Sequence, residues 1–213
     1  MKRLVIIGAS AMGRETCAYA MESGMVVKGF LDSRMNILSD VKDYPPILGS
    51  VDDYNIENSD VFVCAVGEPK AKCQYIGMIE GRGGKFVSIV HPTAYIGMNV
   101  QIGNGCIIAP HVSISNDTKV GNHVIVNLNA SISHDNRISD GCTICPGCHL
   151  AGWVTLGKNV FVGIGGSIIP HISIGDGVFV AAGALVTKSF KSGCLLGIPA
   201  KPRKSSCDNY AIS

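Results

Sequence analysis

Residues 90–108 read VHPTAYIGMNVQIGNGCII, and an aliphatic side chain returns at every sixth position: Val90, Ile96, Ile102 and Ile108. The beat continues through Ile114, Val120, Val126, Ile132, Ile138, Ile144, Leu150, Leu156, Val162, Ile168, Ile174, Val180 and Val186. Apolar residues make up 46% of the chain, so seventeen successive Val, Ile or Leu residues do not arise by chance. The residue after the beat is often glycine, as at Gly97, Gly103, Gly121, Gly157, Gly163 and Gly175. The fourth residue after it is usually small or apolar, from Ala94 and Val100 to Val154 and Val160. A period of six does not fit the 3.6-residue repeat of an α-helix. It fits a short strand and a sharp turn, repeated, with two inward side chains per hexad filling a narrow triangular core. Three hexads close one coil of 18 residues, so seventeen hexads make between five and six coils. Successive coils stack at the inter-strand spacing of about 4.8 Å.

The composition sets outer bounds. The chain has 213 residues, of which 16% are charged, a globular balance. A net charge of +2, without a long basic run, does not point to nucleic acid. The opening MKRLVIIGAS has too short an apolar run for a signal peptide and reads as a strand ending in a glycine turn. No apolar run approaches the ~18–20 residues of a membrane span. Nine cysteines, an odd count without a secretory signal, imply reduced thiols and a cytoplasmic setting.

Residues 1–86 lack the six-residue beat. RLVIIGAS, VVKGFLDS and DVFVCAVG read as strands, and GRETCAYAMESG and PKAKCQYIGMIEGRG as helices. Strands alternating with helices predict a small parallel α/β sheet, a half-Rossmann-like domain. Residues 87–188 are then the β-helix, and 189–213 a C-terminal tail that leaves the repeat after Val186. The last ten residues read as loose.

Three motifs invite chemistry. Gly8-Ala9-Ser10-Ala11-Met12-Gly13 follows a strand and opens a helix, a near miss to GxGxxG with Ser10 in the middle glycine's place. Backbone N–H groups at such a helix start capture phosphate. Asp32 is placed beyond it to accept from a ribose or base. His134-Asp135 sets an imidazole beside a carboxylate at a turn, suited to general-base work near pH 7. Gly152 lies one coil above His134, where its N–H can face a developing oxyanion. The chain has six histidines, and spacing alone does not choose among His91, His111, His123, His134, His149 and His171. Cys142, Cys145, Cys148 and His149 spell CxxCxxCH, but the hexad phase turns Cys142 and Cys148 inward as core filler, so no zinc site is expected. Lys201, Arg203 and Lys204 in the tail are candidates to meet phosphates.

The hexad run resembles the hexapeptide-repeat acyltransferases, whose repeat forms a left-handed parallel β-helix. With the glycine-turn α/β domain before it and GIPAK after it, the chain is similar to bacterial sugar acyltransferases typified by the UDP-4-amino-sugar N-acetyltransferases. The sialic acid O-acetyltransferase branch looks similar. On the stretch NASISHDNRISDGCTICPGCHLAG the resemblance implies that His134 is the base, Asp135 its acidic partner and Gly152 the glycine one coil on. It also implies nucleotide-sugar contacts at Ser10, Ala11, Met12, Asp32, Ser33 and Gly67. Acetyl-CoA contacts would fall at Thr143, Ile164 and Ala182, with no metal, in a homotrimer whose acyl-CoA lies between subunits. The chain departs from the pattern at Met12, Ser33 and Glu68-Pro69, all in the acceptor pocket. The expectation is an acetyl-CoA-dependent N-acetyltransferase of a nucleotide-linked amino sugar. O-acetylation of a sialic acid or related sugar, and a non-catalytic β-helical trimer, are the alternatives.

Overall fold

Seventeen two-residue strands run from Ile89–Val90 to Leu185–Val186 in a computed structural model that describes residues 1–203. Each strand ends on one beat of the six-residue repeat. Pairing is parallel at a register of 18 residues: Lys119 faces Gln101 and Arg137, and Ile125 faces Ile107 and Thr143. The strands stack into three faces of a left-handed β-helix. The first face holds Ile107–Ile108, Ile125–Val126, Thr143–Ile144 and Phe161–Val162. The second holds Ser113–Ile114, Ser131–Ile132 and His149–Leu150, and the third Lys119–Val120, Arg137–Ile138 and Thr155–Leu156.

The beats point inward, and Ile108, Ile114, Val126, Ile144, Leu156, Val162 and Val180 are fully buried. At the corner between the second and third faces, Asn99, Asp117, Asp135, Trp153 and His171 hold φ between +57° and +62°. Asn and Asp tolerate this left-handed region, whereas a bulky residue such as Trp153 is an outlier there.

The residue before each beat points outward. On the first face it is mostly apolar and still buried: Ile89, Ile107, Ile125 and Phe161, with Thr143 the polar exception. The same position on the other two faces is mostly polar. The cover is the N-terminal domain: β1 (Arg3–Ile7), α1 (Ala11–Glu22), β2 (Val27–Leu31), β3 (Ile47–Gly49), β4 (Asp60–Cys64) and α2 (Pro69–Glu80). Its sheet is all parallel, in the order β3-β2-β1-β4. A Cβ at Gly13 would overlap the Gly8 carbonyl, so the glycine lets α1 start hard against the end of β1. Ile6, Tyr19 and Phe30 share one buried cluster with Ile107 and Ile125. Each such side chain, fully buried, contributes about 1.5–3 kcal/mol. His91 pins the seam, with Nε2 2.6 Å from Glu22 Oε2 on α1 and Nδ1 2.8 Å from Thr93 Oγ1.

The end of the repeat differs from the sequence reading. The chain does not leave the β-helix after Val186. A shortened coil continues: Phe190 bridges Ile174, and β22 (Cys194–Leu196, the strand after the seventeen) pairs with Phe179–Val180, 15 residues on instead of 18. Lys201–Arg203 folds back antiparallel on it. Lys204 and the last ten residues, read above as loose, lie outside the described residues.

Seven cysteines are free thiols. Burial pushes Cys142 and Cys148 up to about 11 and Cys64 and Cys145 to about 12, which keeps them protonated and unreactive. Among the described residues no three His, Cys, Asp or Glu side chains form a metal-binding group. No described helix is long and apolar enough to cross a membrane.

Candidate active site: a cleft and a histidine corner

The carboxyl ends of β1, β2 and β4 open on a cleft of about 680 Å³. β1 sits between β2 and β4, so the cleft lies at the switch point where open α/β sheets bind ligands. Ser10, Ala11 and Met12 line it from the start of α1, Asp32 and Ser33 from the end of β2, and Gly67 from the loop after β4. Its floor is the first face of the β-helix: Asn127, Thr143, Cys145 and Phe161.

Ser10 is the N-cap of α1, yet its side chain makes no capping hydrogen bond and no acidic residue stands in the first turn. The helix start therefore keeps unsatisfied N–H groups and a positive dipole end, which suit a phosphate. α2 differs, because Glu68 accepts from Lys70 N–H at 2.9 Å and Ala71 N–H at 2.6 Å and fills that helix start with its own carboxylate.

Asp32 is not free. It accepts from Ala9 N–H at 3.1 Å, Arg34 N–H at 3.0 Å, and both Nε and a terminal nitrogen of the Arg34 guanidinium at 2.9 Å. Burial alone would raise this carboxyl, but the Arg34 and Ala9 hydrogen bonds win and hold it below its ordinary value. A ribose hydroxyl at this site meets a carboxylate already forked by arginine. Arg34 also lines the cleft, a residue that no sequence motif marks.

His134 stands elsewhere, at the corner between the second and third faces. Its Nδ1 is 2.8 Å from Asp135 Oδ2, and its side chain is 51% exposed. A carboxylate at Nδ1 selects the tautomer protonated there and leaves the Nε2 lone pair facing out. Gly152 lies directly above the ring, and a Cβ on it would stand 2.7 Å from His134 Cε1 and 2.8 Å from Nε2.

At four other third hexad positions the N–H is met by an Asn or Asp one coil up: Met98 by Asn116, Asn104 by Asn122, Asn122 by Asp140 and Lys158 by Asp176, at 2.7–2.9 Å. Above His134 stands Gly152, and above Gly152 stands Pro170, so neither supplies an oxygen. Among the described residues the Gly152 N–H has no backbone acceptor. An open N–H beside an exposed imidazole is suited to stabilising an oxyanion.

Within one chain the expected residues do not converge. Ile164 and Ala182, expected at acetyl-CoA, are exposed on the corner between the first and second faces. Thr143, expected with them, is buried in the cleft floor instead, because the N-terminal domain covers its face. The His134 corner is opposite the first face, so no motion of a side chain brings it to the cleft. Besides His91 at the seam, three other histidines are engaged: His123 packs edge-on to Phe86, His149 is 2.8 Å from Ser131 Oγ, and His171 stacks on Trp153, while His111 is exposed.

Asn136 is a further residue of this corner that sequence reasoning missed. It is fully buried, at an inward position that holds Val100 two coils below and Val154 one coil above. Its Nδ2 donates to the carbonyls of Ser133 at 2.7 Å, Ala151 at 3.0 Å and His134 at 3.3 Å, and its Oδ1 accepts from Val154 N–H at 3.1 Å. Asn136→Leu leaves these groups unpaired, and is expected to cost about 1–3 kcal/mol in denaturant unfolding. Unchanged stability would mean that the amide does not hold the corner.

No protein-family model and no curated protein matches the chain. Solved structures do. The acetyltransferase domain of PglB from Neisseria gonorrhoeae superposes with a TM-score of 0.89 at 25% identity, over 95% of this chain and all of that one. PerB from Caulobacter crescentus, solved with CoA and GDP-perosamine, gives 0.87 at 26% identity over 95% of this chain and 98% of that one. WeeI from Acinetobacter baumannii gives 0.84 at 24% identity, over 94% and 99%. From the glycine turn after β1 to the last coil, the chain has the fold of the hexapeptide-repeat sugar N-acetyltransferases.

Proposed function

We propose that the chain is an acetyl-CoA-dependent N-acetyltransferase acting on a nucleotide-linked amino sugar. The observation that carries the proposal is His134, paired with Asp135 beneath an open Gly152 N–H, on a fold matched end to end by PglB's acetyltransferase domain and by PerB. The PglB domain has been solved with acetyl coenzyme A, and PerB with CoA and a nucleotide-linked sugar. The cleft suits the nucleotide end of the acceptor, with its diphosphate at the uncapped start of α1.

The division of the site supports a homotrimer. The cleft lining contains no histidine, and the histidine corner faces away from it. A second copy that sets its His134 corner against the first copy's cleft and its Ile164–Ala182 edge supplies the missing base. In such a site His134 Nε2 takes a proton from the attacking amine as the C–N bond forms. Asp135 stabilises the resulting imidazolium, and the Gly152 N–H holds the carbonyl oxygen as it becomes negative. The C–S bond then breaks and His134 returns its proton to the leaving thiolate.

The test is a panel of nucleotide-linked amino sugars, nucleotide-linked hydroxy sugars and free sialic acid, each assayed with acetyl-CoA. Turnover of an amino-sugar nucleotide is expected. Turnover of free sialic acid alone would replace this reading with O-acetylation, and no thermal shift with CoA would favour a non-catalytic scaffold.

A further inference from the structure

Lys72 on α2 reaches across the seam to the first face of the β-helix. It is 1% exposed, and Nζ lies 2.8 Å from Thr143 Oγ1 and 3.2 Å from the Cys142 carbonyl. Thr143 Oγ1 in turn donates to the Gly67 carbonyl at 3.0 Å. Thr143 and Gly67 both line the cleft, and Lys72 stands behind them. Thr143 is also the one polar residue in its outward row, between Ile125 and Phe161.

None of the ion pairs among the described residues includes Lys72. A buried ammonium without a carboxylate partner costs stability that methionine, of similar length, would not. Burial pushes its amine down to about 8. Near pH 7 the ammonium still predominates, and two acceptors face its N–H donors here. A bare packing role does not call for lysine at such a place, whereas holding a hydroxyl in one orientation does.

We propose that Lys72 is a positioning residue for the acceptor end of the cleft, fixing the Thr143 hydroxyl and through it the Gly67 carbonyl. With Lys72 donating into Thr143 Oγ1 and the Thr143 proton committed to Gly67, the inner wall presents oxygen lone pairs. That polarity suits the N–H and O–H donors of an amino sugar. The inference rests on the acceptor reading above and moves Thr143 from the acetyl-CoA contacts to the acceptor contacts.

The test compares Lys72→Met, Thr143→Val and the double variant with wild type on the amino-sugar nucleotide that wild type turns over. Lys72→Met is expected to raise KM for the acceptor about tenfold, the worth of one to two hydrogen bonds. KM for acetyl-CoA should stay within about twofold and the melting temperature should not fall. The double variant should be no worse than either single one. A lowered melting temperature with unchanged acceptor KM, or a KM change confined to acetyl-CoA, overturns the proposal. If Lys72→Met does not fold, Thr143→Val removes the same link, and an unchanged acceptor KM there overturns it. Absence of any acceptor turnover by wild type overturns the parent reading and this one with it.

Discussion

His134→Ala is expected to lower kcat for acetyl transfer by about 10²–10⁴-fold while leaving the assembly and its melting temperature unchanged. The expectation of an unaltered fold comes from exposure: the side chain is half-exposed at a corner and its ring bonds only to the neighbouring Asp135. The backbone that shapes the corner is held independently, by Asn136 beneath it and by Trp153 N–H donating to the His134 carbonyl at 3.1 Å. Steady-state kinetics with size-exclusion chromatography checks both halves. Wild-type kcat in the variant would remove His134 from the chemistry and return the choice to the other histidines.

Gly152→Ala is expected to lower kcat by about 10²-fold, again without loss of stability. The glycine's φ lies outside the left-handed region, so alanine costs no backbone strain there. The atoms nearest its Cβ would be those of the His134 ring, at 2.7 Å. The imidazole must swing away by several tenths of an ångström, and Nε2 leaves the position the acceptor proton needs. Alanine also reduces the freedom of the unfolded chain, which works in favour of stability. Thermal melting and kinetics together separate this from a structural role, which would lower the melting temperature and spare kcat.

The β-helix was legible because its period is strict. A side chain that must fill a triangular core every sixth residue leaves a trace that no other constraint imitates. The covered first face also leaves a trace at a period of 18, in Ile89, Ile107, Ile125, Phe161 and Phe179, interrupted by Thr143. The α/β domain was legible from its alternation and its glycine turn. Arg34 was not, because a fork onto Asp32 depends on a loop conformation rather than on a pattern. Lys72 looked like any surface lysine of a helix, since its burial is decided by a face 70 residues away in the chain. Asn136 left a faint mark, a polar residue at the inward position four after the beat. The shortened last coil left none, because its register shift follows from packing against Phe179 and Ile174. Most of all, the sequence lists cleft and base residues on one chain without saying that the fold turns them to opposite sides.

The central claim is that the cleft of one copy works with the His134 corner of another. It is tested by co-expressing two inactive variants with different tags: His134→Ala, and Ala11→Trp, which blocks the cleft at the start of α1. In a cyclic trimer that holds both variants, one interface in three joins the intact cleft of a His134→Ala copy to the intact base of an Ala11→Trp copy. Recovery of roughly a third of wild-type kcat is expected in purified mixed assemblies. No activity above that of the separate variants would contradict it.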